Sequence, residues 1–183
     1  MLPQFKNILV TTDFSQKAWM AMRYAASLAK DCQAQVSCLH VLPEVPKELS
    51  YIGGPSLLYG YGPGEVGVPH TEPTFRRQDE KSQEQAQREN LLKAEEMAKD
   101  HIKSLWLKLK AEFGAGNLRS DQIIIRSGNP VERILDVANN ETFDLVVMGR
   151  RGHGKLRGPR IGGVANGVLV RSYIPVMIVG KKG

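Results

Sequence analysis

Gly149, Gly152, Gly162 and Gly163 are the residues of this chain best suited to chemistry, and the chemistry is anion binding. The run from Asp144 to Gly152 is a short apolar stretch ending in glycine, the pattern of a buried strand emptying into a tight turn. Gly149 and Gly152 can take positive φ there and let backbone N–H groups approach an anion closely. After nine intervening residues Gly162 opens a second corner. Val164 to Arg171 follows with helical spacing, so this corner sits at a helix N-terminus, where unpaired amides and the helix dipole favour negative charge. One glycine pair after a strand commonly makes only a turn, whereas two corners at this spacing suit a nucleotide phosphate. Arg150, Arg151, Lys155, Arg157 and Arg160 fall between the corners and add positive charge for a polyphosphate, although a solvated basic loop would have the same composition.

Alternating strands and helices must position these corners. Lys6 to Thr12 reads as a first strand, Asp13 to Ser15 as a turn with Ser15 as helix N-cap, and the next residues to about Asp31 as a helix. Trp19, Met22, Ala26 and Ala29 form the apolar face of that helix. Gln35 to Val41 is a second strand. Leu91, Ala94, Ala98, Ile102, Leu105 and Leu109 make a long amphipathic stripe that stops at Gly114. Gln122 to Arg126 is a third strand, and Gly128, Asn129 and Pro130 supply turn, N-cap and first-turn proline for a helix over Val131 to Asn139. Asp144 to Met148 is the fourth strand, and Pro175 to Val179 the fifth, after the helix that follows Gly163. This order predicts an α/β fold, a single doubly wound parallel five-stranded sheet with helices on both faces, and a Rossmann-like crevice at the carboxyl ends of its strands. Asp13, Val41 and the Gly149 turn all lie at such ends.

Composition narrows the function classes. At 183 residues and 42% hydrophobic, with no apolar run long enough to span a bilayer, the chain is expected to form one soluble domain over 1–183. Its N-terminal residues lack the basic-then-apolar profile of a secretory signal, so a cytoplasmic location is expected and no membrane partner. Cys32 and Cys38 are too few for a disulfide framework or a metal cluster. The net charge of +6 is not gathered into one tract or interleaved with aromatics, which argues against nucleic acid as the partner. No metal site is expected.

Catalytic signatures are equally sparse. There is no Gly-x-Ser-x-Gly elbow, Cys-x-x-Cys pair or His-Glu-x-x-His helix, and the four histidines are scattered. His40, inside a strand, reads as a core or binding-edge residue, and His153 is the one histidine placed in the phosphate turn. Gly149 to Lys155 spells most of a Walker A loop, but Leu156 stands where a magnesium-binding hydroxyl is needed, and Gly158-Pro159 would break the helix that must follow. No catalytic residues are assigned, and any turnover of a bound nucleotide would be slow hydrolysis or autophosphorylation.

The chain from about 43 to 85 is long for a strand-to-helix connection and reads as a flexible insertion. It carries Gly53, Gly54, Pro55, Tyr59, Tyr61 and Pro63, then a charged stretch from Arg76 to Lys81 leading toward the helix. Because it leaves the second strand beside the crevice, its tyrosines are placed to cover a base or meet a partner. If Pro175 to Val179 is an edge strand, two copies can pair across a two-fold axis, unless Lys181 and Lys182 protect that edge in a monomer.

Taken together these motifs resemble the universal stress protein family. Its nucleotide signature, Gly-x2-Gly-x9-Gly followed by Ser or Thr, is matched by Gly149, Gly152 and Gly162, with Gly163 in place of the hydroxyl residue. Thr11 to Ser15 is similar to the family's first-strand corner, Leu39 to Val41 to its second-strand end, Gly128 to Pro130 to its third-strand turn, and Pro175 to Val179 to its closing strand. The resemblance covers about residues 4–45 and 86–180.

It implies ATP as ligand, with Mg2+ held through the phosphates, and a homodimer acting in stress response. Carried across by position, Thr11, Thr12 and Asp13 would face the ribose or adenine side, Val41 the base, and Met148 and Gly149 the floor. Gly152, Gly162, Gly163 and Val164 would offer amides to phosphates, with Arg151 and His153 as side-chain donors. Gly163 and Ala165 lack hydroxyls found in phosphate-binding members. At about 0.5–1.5 kcal/mol for each hydrogen bond, their loss weakens binding by about one to two orders of magnitude, unless the basic residues or Asn166 compensate. Two function classes stay open: an ATP-binding switch or scaffold whose loop or dimer is read by an unknown protein partner, and a nucleotide-independent dimeric interaction protein of the same fold.

Overall fold

The computed structural model describes residues 4–42, 80–114, 118–140, 142–152 and 161–180. In chain order the elements are β1 (Asn7–Thr12), α1 (Gln16–Cys32), β2 (Gln35–Leu42), α2 (Glu80–Phe113), β3 (Leu118–Ser127), α3 (Pro130–Asn140), β4 (Leu145–Gly149), α4 (Gly163–Arg171) and β5 (Val176–Val179). All strands pair in parallel in the order β3-β2-β1-β4-β5. The chain therefore winds outward from β1 to β3, returns across the sheet, and continues from β4 to β5. The predicted doubly wound fold is the one observed.

Local chemistry explains the boundaries. Ser15 Oγ accepts the Ala18 N–H at 3.2 Å and starts α1, and Gln33, in the left-handed region at φ 57°, ends it. Gly114, at φ 62°, donates its N–H to the Lys110 carbonyl at 2.9 Å and closes α2. Asn129 Oδ1 accepts the Val131 N–H at 3.0 Å and opens α3 ahead of Pro130. Two elements are longer than their periodicity predicts. α2 begins at Glu80, so the last part of the stretch expected as a connection is helical, and β3 starts at Leu118, its pairing to β2 shifting register between Val36 and Cys38. Residues 43–79, including Gly53, Tyr59 and Tyr61, lie outside the described residues, as do Lys181 and Lys182.

Each face of the sheet carries its own core. On one, Ile8, Val10, Val36, Cys38 and Val147 pack against Ala21, Met22 and Ala25 of α1 and Ile102, Trp106 and Leu109 of α2. On the other, Leu9, Leu39, Val146 and Met148 pack against Ile134, Leu135 and Ala138 of α3 and Ala165 and Val168 of α4. The alternation of Ile8, Leu9 and Val10 between the two cores is the period-two geometry of a strand buried on both sides. At the start of the sheet, the Asp144 carboxylate accepts the Lys6 N–H at 2.7 Å and the Asn7 N–H at 3.2 Å, tying β1 to the approach to β4. Among the described residues no helix is long and apolar enough to cross a membrane.

The smallness of Gly149 is structural. An added Cβ would stand 2.9 Å from the Lys17 carbonyl carbon and 3.1 Å from the Ala18 nitrogen, both backbone atoms of α1 that cannot rotate away. Gly149→Ala is expected to lower unfolding stability by about 1–3 kcal/mol, the usual cost of overpacking, read as a lower urea midpoint at unchanged slope. An unchanged midpoint would show that α1 can slide and that the contact is not a constraint.

Candidate functional site

The winding reverses between β1 and β4, so their carboxyl ends lie side by side with no crossover between them. A cavity of about 650 Å³ opens there, a size suited to a small-molecule ligand. Its lining is assembled from three strand ends and three helix starts. Thr11, Thr12 and Asp13 come from the end of β1, Leu39 and Val41 from β2, and Met148, Gly149, Arg151 and Gly152 from β4 and its following turn. Ile161, Gly162, Gly163, Val164 and Ala165 bring the start of α4, while Ala18 and the pair Pro130 and Ile134 bring α1 and α3.

Of the residues singled out in the sequence, Thr11, Thr12, Asp13, Val41, Met148, Gly149, Arg151, Gly152, Gly162, Gly163 and Val164 all line this one cavity. His153 lies outside the described residues, as do Lys155, Arg157 and Arg160. The sequence did not assign Ala18, Leu39, Pro130, Ile134 or Ile161 to the site, although Leu39 and Pro130 stand in segments that carry the family resemblance. Leu39 was within reach, since it alternates with Val41 and so shares its face of β2. Pro130 and Ile134 are one helical turn apart at the start of α3, a spacing whose meaning depends on knowing which strand end α3 caps.

The cavity has two chemically different walls. Leu39, Val41, Ile134 and Met148 make an apolar slot. Opposite it are the glycine corners. The Gly162 N–H donates to the Arg150 carbonyl at 2.9 Å and the Asn166 N–H to the Gly162 carbonyl at 2.8 Å, so the second corner is fastened to the first and leads straight into α4. Gly162 is the N-cap of α4 and offers no side-chain bond to it. The first amides of that helix therefore lack a capping side chain and retain their capacity to bind an anion.

The structure refines two readings of these corners. Gly149 and Gly152 do not adopt positive φ, which among the described glycines belongs to Gly114 and Gly128. At Gly152 a Cβ would fall on Asp13 Oδ2, the end of a side chain, so a substituent there must displace the carboxylate. The adjacent arginines also part company. Arg151 lines the cavity, whereas the Arg150 side chain runs against Gly180 just past β5, where a Cβ would meet its Nε at 3.5 Å.

Asp13 is held by its own turn. Its Oδ1 accepts the Ser15 N–H at 3.0 Å, and Thr12 Oγ1 accepts the Phe14 N–H at 3.0 Å. Phe14 sits at φ 63°, a left-handed conformation that costs a bulky residue about 1–3 kcal/mol and persists only where its surroundings impose it. Beneath this turn His40 is buried, with Nδ1 2.8 Å from the Thr12 carbonyl oxygen. A carbonyl only accepts, so Nδ1 carries the proton. Burial pushes the imidazole pKa below its ordinary 6.5, partly opposed by that hydrogen bond and by the Asp13 charge, and this favours the neutral ring.

Thr11, Thr12, Asp13 and Arg151 supply the polar side chains that line the cavity among the described residues. This set can bind and orient a ligand with a polar, anionic end and a flat apolar end. No group of three His, Cys, Asp or Glu side chains able to hold a metal occurs among the described residues.

Comparison with known proteins agrees with this geometry. Residues 4–60 and 65–180 match the model of the Universal stress protein family. Universal stress protein MJ0577 of Methanocaldococcus jannaschii is 29% identical over 182 residues, spanning 100% of this chain and 99% of its own. Universal stress protein YxiE of Bacillus subtilis is 30% identical over 176 residues, spanning 96% of this chain and 99% of its own. The solved structure of MJ0577 aligns with a TM-score of 0.69 at 25% identity over 99% of both chains. A universal stress protein solved in complex with cAMP shares the fold, with a TM-score of 0.51 at 17% identity over 97% of this chain and 98% of that one. A family match that runs through nearly every described element, together with the same Rossmann-like sheet, means that this chain belongs to the universal stress protein family.

Proposed function

We propose that this protein binds an adenine nucleotide, ATP carried with Mg2+ through its phosphates, and acts in the stress response as a nucleotide-dependent switch or scaffold in the cytoplasm. The observation that carries this reading is the convergence of two glycine corners and an apolar slot on one cavity at the switch point of the sheet. The slot between Val41, Ile134 and Met148 suits a purine base. The uncapped start of α4 and Arg151 suit the phosphates, with Asp13 between them on the ribose side. A protein of the same fold holding cAMP supports an adenine nucleotide as the ligand class. The reading includes a homodimer through Pro175–Val179: β5 is an edge strand, and Val170 and Tyr173 stand exposed nearby.

A second reading, a dimeric interaction protein that works without nucleotide, is favoured by Gly163. That position offers the phosphates an amide and no hydroxyl, and the Gly162 cap offers none either.

Titration calorimetry of nucleotide-stripped protein with Mg-ATP separates the two. Binding in the micromolar range is expected in the wild type, and its loss at about 1 mM nucleotide in Gly152→Val, whose side chain displaces the Asp13 carboxylate while unfolding stays cooperative. A folded, dimeric wild type that takes up no ATP would establish the second reading. Gly163→Ser is expected to tighten binding about two- to ten-fold, the worth of one added hydrogen bond, because a Cβ there meets nothing within 4 Å. Unchanged affinity in that variant would mean that the first turn of α4 does not contact phosphate. Sedimentation of the wild type tests the dimer, and a monomer at all concentrations would exclude the β5 pairing.

A further inference from the structure

The Phe14 ring contacts two imidazoles. Its centroid is 4.4 Å from that of His40 and 4.5 Å from that of His101, both tilted, at 39° and 33°. The three rings come from three elements: His40 from β2, Phe14 from the turn after β1, and His101 from the middle of α2. Phe14 also packs against Leu42, Ala94 and Ala98. This is the residue in the left-handed conformation, and it lies between Asp13, which meets Gly152 in the cavity, and Ser15, the cap of α1. The His40 bond to the Thr12 carbonyl grips the same turn from below. None of the three rings lines the cavity.

We propose that His40, Phe14 and His101 form a positioning stack that holds Asp13 against Gly152 in the cavity, and that a proton on His40 releases it, so that ligand affinity falls in acid. The inference rests on the proposed nucleotide reading for its ligand. The stack joins the turn to β2 and α2, and a bulky side chain at positive φ needs such packing to stay there. In its neutral form His40 presents an Nδ1 proton to Thr12 and a flat face to Phe14. When charged it must be solvated, and among the described residues Phe14, the His101 ring and the Asp13 carboxylate lie near it. Asp13 favours the charge, while burial and His101 oppose it. His101 in turn faces Phe14 and the Lys108 charge on its own helix.

Both histidines have folded-state pKa values below their ordinary 6.5. The unfolded chain therefore binds more protons than the folded one in the window below 6.5. The stack is intact above that pH and loses stability as pH falls through the window.

Two measurements test the proposal. The first is Mg-ATP affinity from about pH 8 to about pH 5.5 in the wild type, His40→Asn and His40→Leu. Asn keeps an N–H donor where Nδ1 stands and cannot be protonated. The wild type is expected to weaken about ten-fold more on acidification than His40→Asn, which shares the titration of the nucleotide itself. His40→Leu, without the donor, is expected to be weaker than His40→Asn at every pH. Parallel pH profiles in wild type and His40→Asn would overturn the proposal.

The second measurement needs no nucleotide. In 15N-labelled apo protein the Phe14, Ser15 and Gly152 amide signals are expected to move with the titration of the His40 ring, and the movement is expected to vanish in His40→Asn. Amides that stay still while His40 titrates would overturn the proposal. If ATP does not bind at any pH, the nucleotide reading fails while this second result still decides the stack.

Discussion

The parallel pairing of β1 with β4 is the constraint on which the rest of the structure depends. Ile8 lies beside Leu145, Leu9 beside Val146 and Val10 beside Val147, and these residues are buried without exception. Two stretches more than a hundred residues apart are thereby held at hydrogen-bonding distance over three residue pairs. The turns that follow them, at Asp13 and at Gly149 to Gly152, then have to share one space. Every feature of the cavity follows from that enforced neighbourhood. Right-handed crossovers send α1 and α2 to one face and α3 and α4 to the other, leaving the crevice above the β1–β4 seam uncovered.

Crowding at the seam sets residue size there. Gly149 is small because the backbone of α1 passes over it, and Gly152 because the Asp13 carboxylate fills the place of its side chain. These contacts put a carboxylate, the start of α4 and an arginine within one cavity. The same crowding fixes the turn after β1. Phe14 takes a left-handed conformation in contact with the His40 and His101 rings, and His40 bonds the Thr12 carbonyl beside it. A binding surface made largely of backbone is only as precise as the packing behind it. Much of what shapes this site therefore lies one layer away from the ligand.

The outer elements contribute in a different way. α4 is short, and it is stitched to α3 by paired bonds from Arg171 to Glu132, at 2.7 and 3.1 Å, and by Gly167 lying close to Val131. An exposed ion pair of this kind adds little to global stability. Its effect is to orient α4, whose first turn faces the cavity. β5 closes the sheet beside it, with Arg150 binding the Val179 carbonyl through its N–H at 2.7 Å and laying its side chain against Gly180.

Much of this was legible in the sequence because the signals are local. Ser15, Asn129 and Gly114 announce helix ends through their own hydrogen bonds or φ, and the stripe from Ala94 to Leu109 announces a buried helix face by its period. The order of strands and helices, the glycine spacing and the family followed from such features alone. Non-local contacts decided the remainder. That Arg151 enters the cavity while Arg150 turns toward β5, that Gly149 and Gly152 are glycines for want of space, and that Pro130 and Ile134 form a wall are facts about neighbours distant in the chain. The sequence determined which segments become strands, helices and tight corners, since propensity, capping and periodicity act over a few residues. Only the tertiary structure decided which corners meet and which side chains face one another, because that depends on sheet order, which no short-range interaction encodes.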